Sequence, residues 1–211
     1  LIKMKFLSSA ASAVAVLVVL AVRISEGTTC PDLLSERSDY VKSSFNPKFM
    51  EGLWYEHNYI DIAQVGSTCQ RLNGTYFDAT KVLNMDFSVQ YGPLPFTITE
   101  IYNPPANASE ANLGYYIKRA KMPGSKLLLF PTVIVDATLN ATTNVYDKLI
   151  MHSCTVKLDI LVQEIVIATR NKMEDPSVLQ AMQAEAKKEG VQWDAKNMKT
   201  VDWTSKECEK L

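Results

Sequence analysis

From Lys81 to Tyr91 the chain reads KVLNMDFSVQY, in which Leu83, Met85, Phe87, Val89 and Tyr91 alternate with Asn84, Asp86, Ser88 and Gln90. Successive side chains of an extended strand point to opposite faces, so this segment predicts a strand with one dry face and one wet face. Similar β-rich text recurs as FTITEIY from Phe96, LGYYIKRA from Leu113, KLLLF from Lys126, TVIVDAT from Thr132, YDKLIMHSCTV from Tyr146 and VQEIVIAT from Val162. Turn formers separate several of these runs: Tyr91-Gly92-Pro93, Asn103-Pro104-Pro105 and Met122-Pro123-Gly124. Many short strands at regular spacing predict an all-β sandwich or barrel.

One helix interrupts the pattern. Asp175 can cap it, Pro176 suits its first position and Gly190 supplies the stop, while Leu179, Met182 and Ala186 share one face. A single amphipathic helix placed after the strands must lay that face on the outside of the sheet. The tail from Val191 to Leu211 carries Trp193, Trp203 and Cys208 but is too polar for a core of its own, and is expected to run along the sheet, pinned by Cys208.

At the other end, Lys3 and Lys5 precede a run from Phe6 to Val22 that includes AVAVLVVLAV. With Ser8, Ser9 and Ser12 in its first half and Arg23 closing it, the apolar core is shorter than the roughly 20 residues of a membrane span. It reads as a secretion signal over residues 1–27, with Ser25 and Gly27 fitting the cleavage site. Residues 28–211 are then one domain, large enough to fold alone. In an oxidising compartment Cys30, Cys69, Cys154 and Cys208 form two disulfides, by any of three pairings. Sequons at Asn73, Asn107 and Asn140 agree with export. A formal net charge of −1, with both signs interspersed, gives no basic face for nucleic acid.

Three motifs in order make the chain resemble the lipocalins, and among them the apolipoprotein D and bilin-binding protein branch. They are Gly52-Leu53-Trp54 at the start of the first strand, TTNVYDKLIMHSC from Thr142 to Cys154, and Arg170 closing the last strand before the helix. The second departs from the family pattern, with Asn144 in place of aspartate and Val145 in place of tyrosine. The resemblance implies an eight-stranded up-and-down antiparallel β-barrel, a calyx, with the one C-terminal helix packed outside. It also implies the pairs Cys30 with Cys154 and Cys69 with Cys208, each closing a loop worth roughly 4 kcal/mol. Gly52, Trp54 and Arg170 would form the structural floor, the guanidinium lying across the indole ring.

A barrel of this size can be packed solid or hold one small ligand, and the resemblance implies an open interior. Counting in twos from Arg170 puts Ala168 and Val166 inside and sends Ile167 and Ile165 outward under the helix. With Met85, Phe87, Val89, Leu149 and Met151, these make the expected ligand-lining set. The expected function is extracellular transport or sequestration of a fatty acid, sterol, retinoid or tetrapyrrole. A lipocalin that grips another protein through its loops is the main alternative, and an isomerase a distant third.

No catalytic residue is expected. His57 and His152 have no cysteine, serine or acid at a telling spacing, and no nucleophile, zinc or phosphate motif occurs. No metal and no cofactor are expected, a bound lipid or pigment apart. Oligomeric state and contacts with a lipid surface or receptor stay open. N-terminal sequencing of the exported protein is expected to start near Thr28, and glycosidase treatment to lower its mass; a membrane-inserted chain retaining Phe6 to Val22 would contradict this.

Overall fold

The computed structural model describes residues 29–106, 112–125 and 128–209, so the expected signal segment and Asn107 lie outside the described residues. Eight strands follow one another in chain order: β1 (Gly52–Ile60), β2 (Thr68–Phe77), β3 (Val82–Tyr91), β4 (Leu94–Asn103), β5 (Tyr115–Ala120), β6 (Phe130–Leu139), β7 (Tyr146–Lys157) and β8 (Ile160–Thr169). Each pairs antiparallel with the next, and β1 pairs with both β2 and β8, which closes the barrel. A two-residue strand, β9 (Lys199–Thr200), adds to the free stretch of β1 at Asn58 and Tyr59. The fold is therefore a closed up-and-down barrel, as the sequence predicts.

Alternation divides the buried residues into an inner and an outer core. Leu83, Met85, Phe87 and Val89 of β3 join Trp54, Leu72, Tyr102, Leu149, Met151, Val166 and Ala168 in the interior. Ile165 and Ile167 form the outer core with Met182 and Ala186 of α2 (Pro176–Lys188). Asp175 caps that helix by accepting from Ser177 N at 2.7 Å. At its end Gly190, at φ +101°, donates to Lys187 O while Val191 donates to Ala186 O, the paired bonds of a Schellman stop.

Three elements differ from expectation. Strand β2 was not foreseen: its text, TCQRLNGTYF, buries Gln70 and Gly74 beside Leu72, so no apolar alternation marks it. Gly74 is needed there, because a Cβ would stand 2.4 Å from the Met50 carbonyl. Conversely, of the KLLLF run Leu128 and Leu129 belong to no strand, and Lys126 and Leu127 lie outside the described residues. Leu128 N donates to Ser125 O in a turn, and β6 begins only at Phe130. A further short helix, α1 (Asp39–Ser44), is capped by Ser38 and buries Val41.

The segment after α1 covers one end of the barrel. Phe45 stacks on Tyr146 with ring centroids 5.5 Å apart, Phe49 meets the same ring edge-on, and the Tyr146 hydroxyl accepts from Asn46 N at 2.8 Å. Beside them the Arg170 guanidinium lies 3.7 Å from the centre of the Trp54 ring. Arg170 donates to the carbonyls of Tyr146, Leu53, Phe49 and Glu51, and Trp54 donates to Met50 O. Gly52, at φ +88°, sits against this guanidinium. Asn144 also has a left-handed backbone, which asparagine tolerates better than most residues and which turns the chain into β7. The disulfides are Cys30 to Cys154 and Cys69 to Cys208, the two pairs named above, and they bind the N-terminal arm and the C-terminal tail to the wall.

Trp54→Ala is expected to cost roughly 3 to 5 kcal/mol of unfolding free energy. Arg170→Lys should recover little of the loss seen in Arg170→Ala, since an ammonium cannot reach four carbonyls and lie flat on indole. Denaturant unfolding of the three variants checks this; wild-type stability in all of them would mean the floor contact is dispensable.

Candidate functional site

From the sealed floor the interior becomes polar toward the mouth. On β4 the interior residues Ile98 and Tyr102 flank Glu100, on β5 Tyr116 is followed two residues on by Lys118, on β8 Val166 is preceded by Glu164, and on β1 Trp54 is followed by Glu56. These four charged side chains border a space of about 20 Å³, roughly one water in size. Gln64, from the turn that folds over the mouth between β1 and β2, completes the polar lining, and Phe87, Met151 and Val166 supply apolar wall. Tyr91 holds that turn down, its hydroxyl donating to Ala63 O at 2.6 Å.

Lys118 is buried and donates to Glu100 Oε1 at 3.2 Å and to Glu164 Oε2. Burial alone would lower the Lys118 pKa, but Glu100 and Glu164 outweigh it and hold the ammonium charged. The Tyr102 hydroxyl donates to Glu100 Oε2 at 2.9 Å. Glu56 is 1% exposed and accepts only from Gln64 Nε2, at 3.2 Å, among the described residues. Desolvation pushes its carboxyl up to about 8, with smaller upward contributions from Asp61 and Glu100. Asp61, at the mouth, is raised by burial and by Glu164.

Of the expected lining residues, Phe87, Met151 and Val166 border this space. Met85, Val89, Leu149 and Ala168 are buried in the packed interior without reaching it. The upper interior is thus crossed by a charged belt beside the expected apolar lining, while the expected residues nearer the floor are buried in the apolar cluster. Glu56, Glu100, Lys118 and Glu164 were missed. One more step of two back from Arg170, past Ala168 and Val166, lands on Glu164, so an inward charge was there to be read.

The histidines are both satisfied within the protein. His57 Nε2 lies 3.0 Å from Thr169 Oγ1 and from Asn171 O, and His152 sits between Glu36 and Gln163 on the outer face. Of the sequons, Asn73 is exposed on β2, while Asn140 is half-buried in the β6–β7 turn with its amide donating to Asp147.

No protein-family model and no curated protein matches the chain. Solved structures do. Insecticyanin from the tobacco hornworm Manduca sexta superposes with a TM-score of 0.64 at 14% identity, over 85% of this chain and 89% of that one. The bovine lipocalin allergen Bos d 2 gives 0.52 at 10% identity, over 74% and 94%. Odorant binding protein OBP1 gives 0.52 at 14%, over 74% and 92%. The fold is the lipocalin fold. Within it, the Trp54–Arg170 contact stands at one end of the barrel and the polar belt lies toward the other, where β1 and β2 are joined.

Unfolded, Glu56 ionises near 4.5; folded, it holds its proton to about 8. Between those values the native lipocalin fold binds a proton the unfolded chain has lost, so this group's contribution to stability declines as pH rises across that interval. Glu56→Gln, which mimics the protonated acid, is expected to melt close to wild type at pH 5 and several degrees above it at pH 9. Coincident melting curves at pH 9 would contradict the burial of an uncompensated carboxyl.

Proposed function

We propose that the chain is a secreted member of the lipocalin family that holds one small, largely apolar molecule at the open end of its barrel, for transport or sequestration, without transforming it. One observation carries this reading: large apolar side chains stand exposed around the open end. Ile62, Val65, Leu94, Phe96, Leu128 and Leu158 are all exposed on its loops and strand ends. Exposed apolar surface gathered in one place marks a binding site, and here it rims the end of the barrel opposite the Trp54–Arg170 floor. The odorant binding protein of the same fold supports a small-molecule ligand by analogy of fold.

The remaining parts of the reading have their own support. Both disulfides suit an oxidising compartment, and no described helix is long and apolar enough to cross a membrane. The three motifs and the cysteine pairing favour the apolipoprotein D and bilin-binding protein branch. With every cysteine paired and both histidines engaged in structural bonds, no side chain among these is left as a nucleophile or base. Among fatty acids, sterols, retinoids and tetrapyrroles, the belt of acids disfavours an inward carboxylate.

The small size of the space bordered by the belt, about 20 Å³, favours a second reading, in which the apolar loops grip a protein. Titration with the uncharged fluorophore N-phenyl-1-naphthylamine separates the two. Wild type is expected to bind it, Val166→Lys to lose at least about tenfold in affinity, and Asn84→Lys, on the outer face, to match wild type. Loss in Asn84→Lys alone would invert the assignment of faces, and no binding to wild type would hand the site to the protein-interaction reading.

A further inference from the structure

The charged belt is unbalanced. Glu56, Asp61, Glu100 and Glu164 face one another across the upper interior with Lys118 as the single cation among them. Lys118 is taken up by Glu100 and Glu164, and among the described residues neither Glu56 nor Asp61 forms an ion pair. Acids alone would not make a site, since a carboxyl can simply stay protonated.

A second feature asks for a donor. Gln64 is 3% exposed, lines this space, and gives its Nε2 to Glu56, while its Oε1 has no hydrogen-bond partner among the described residues. The pocket therefore offers one buried amide oxygen and a carboxyl beside it, both acceptors, around room for one water-sized group. A water could satisfy the amide, whereas a cation seated there would satisfy it and also draw Glu56 into its ionised form. Among the described residues no group of three or more His, Cys, Asp or Glu is placed to hold a metal ion. An ammonium group is the size of a water, carries a positive charge and presents three donors.

We propose that this space is a subsite for a primary ammonium group, so that the ligand is a small amphiphilic amine with its nitrogen between Gln64 and Glu56. Its apolar body then extends toward the rim of Ile62, Val65, Leu94 and Phe96. This inference rests on the ligand-carrier reading and names the class of ligand: the apolar rim selects the body, and the belt selects a cation over a carboxylate or a neutral alcohol. Quaternary ammonium groups are too large for the subsite.

Calorimetric titration of the whole mature protein with 2-phenylethylamine, 3-phenylpropan-1-ol and 3-phenylpropanoate tests it. The amine should bind at least about tenfold more tightly than the alcohol, and the carboxylate should be weakest. Gln64→Glu should tighten amine binding at least about fivefold and Gln64→Leu should weaken it, with the alcohol unmoved by either. Gln64 lies in a surface turn, so both variants leave the barrel floor untouched. If N-phenyl-1-naphthylamine binds but the amine is no better than the alcohol, or if Gln64→Glu leaves the amine unchanged, the ammonium subsite is overturned while the carrier reading stands. If neither the fluorophore nor any of the three compounds binds, both fall.

Discussion

Strand β1 is shared between two neighbours. Its first residues, Gly52 to Tyr55, pair with β2, and from Tyr55 to Ile60 it pairs with β8, with an irregularity between Glu56 and Asn58. That closure is what the remaining structure depends on. A closed sheet has no free edge to protect, but it forces every alternating side chain to lie either in a confined interior or on an outer face. The outer face is then free to carry α2, the N-terminal arm and the tail, and both disulfides attach those segments to strands of the closed wall.

The interior must be filled or satisfied along its length, and the two halves solve this differently. At the floor, aromatic rings pack against the Arg170 guanidinium, which donates to four backbone carbonyls. Desolvation lowers the Arg170 pKa to about 10, which still leaves it charged at neutral pH. In the upper half, Lys118 is held by two carboxylates and by the Tyr102 ring at 5.9 Å. A buried ion pair of this kind contributes little net stability, whereas removing one partner costs roughly 3 to 5 kcal/mol. A packed apolar layer would serve a purely structural barrel at least as well, so the belt is the part of the interior whose composition asks for a functional reason.

Much of this was legible in the text of the chain. Alternation over Leu83 to Val89 predicts the strand and its faces, and Asp175, Pro176 and Gly190 bracket the helix as found. Counting in twos from Arg170 places Val166 and Ala168 inside and Ile165 and Ile167 under α2. What escaped notice has physical causes. Strand β2 turns Gln70 and Gly74 inward, because the Met50 carbonyl occupies the room of a side chain at Gly74, and an alternation read from hydrophobicity does not register either residue. The belt escaped for a related reason: an inward glutamate looks like a surface residue until its partner is known, and while Glu100 and Lys118 sit on neighbouring strands, Glu164 of β8 reaches Lys118 of β5 only across the closed barrel. The KLLLF segment misled because apolar residues can line a mouth as well as a strand, and Leu128 and Leu129 are exposed there.

Native mass spectrometry of the protein isolated from its own source tests the central claim, that the open end of the barrel holds one small molecule, most directly. The account predicts a mature disulfide-bonded chain carrying a single small non-covalent adduct, lost when the protein is denatured. A native mass equal to that of the polypeptide and its covalent modifications alone, or a complex whose added mass is that of another protein, would contradict it.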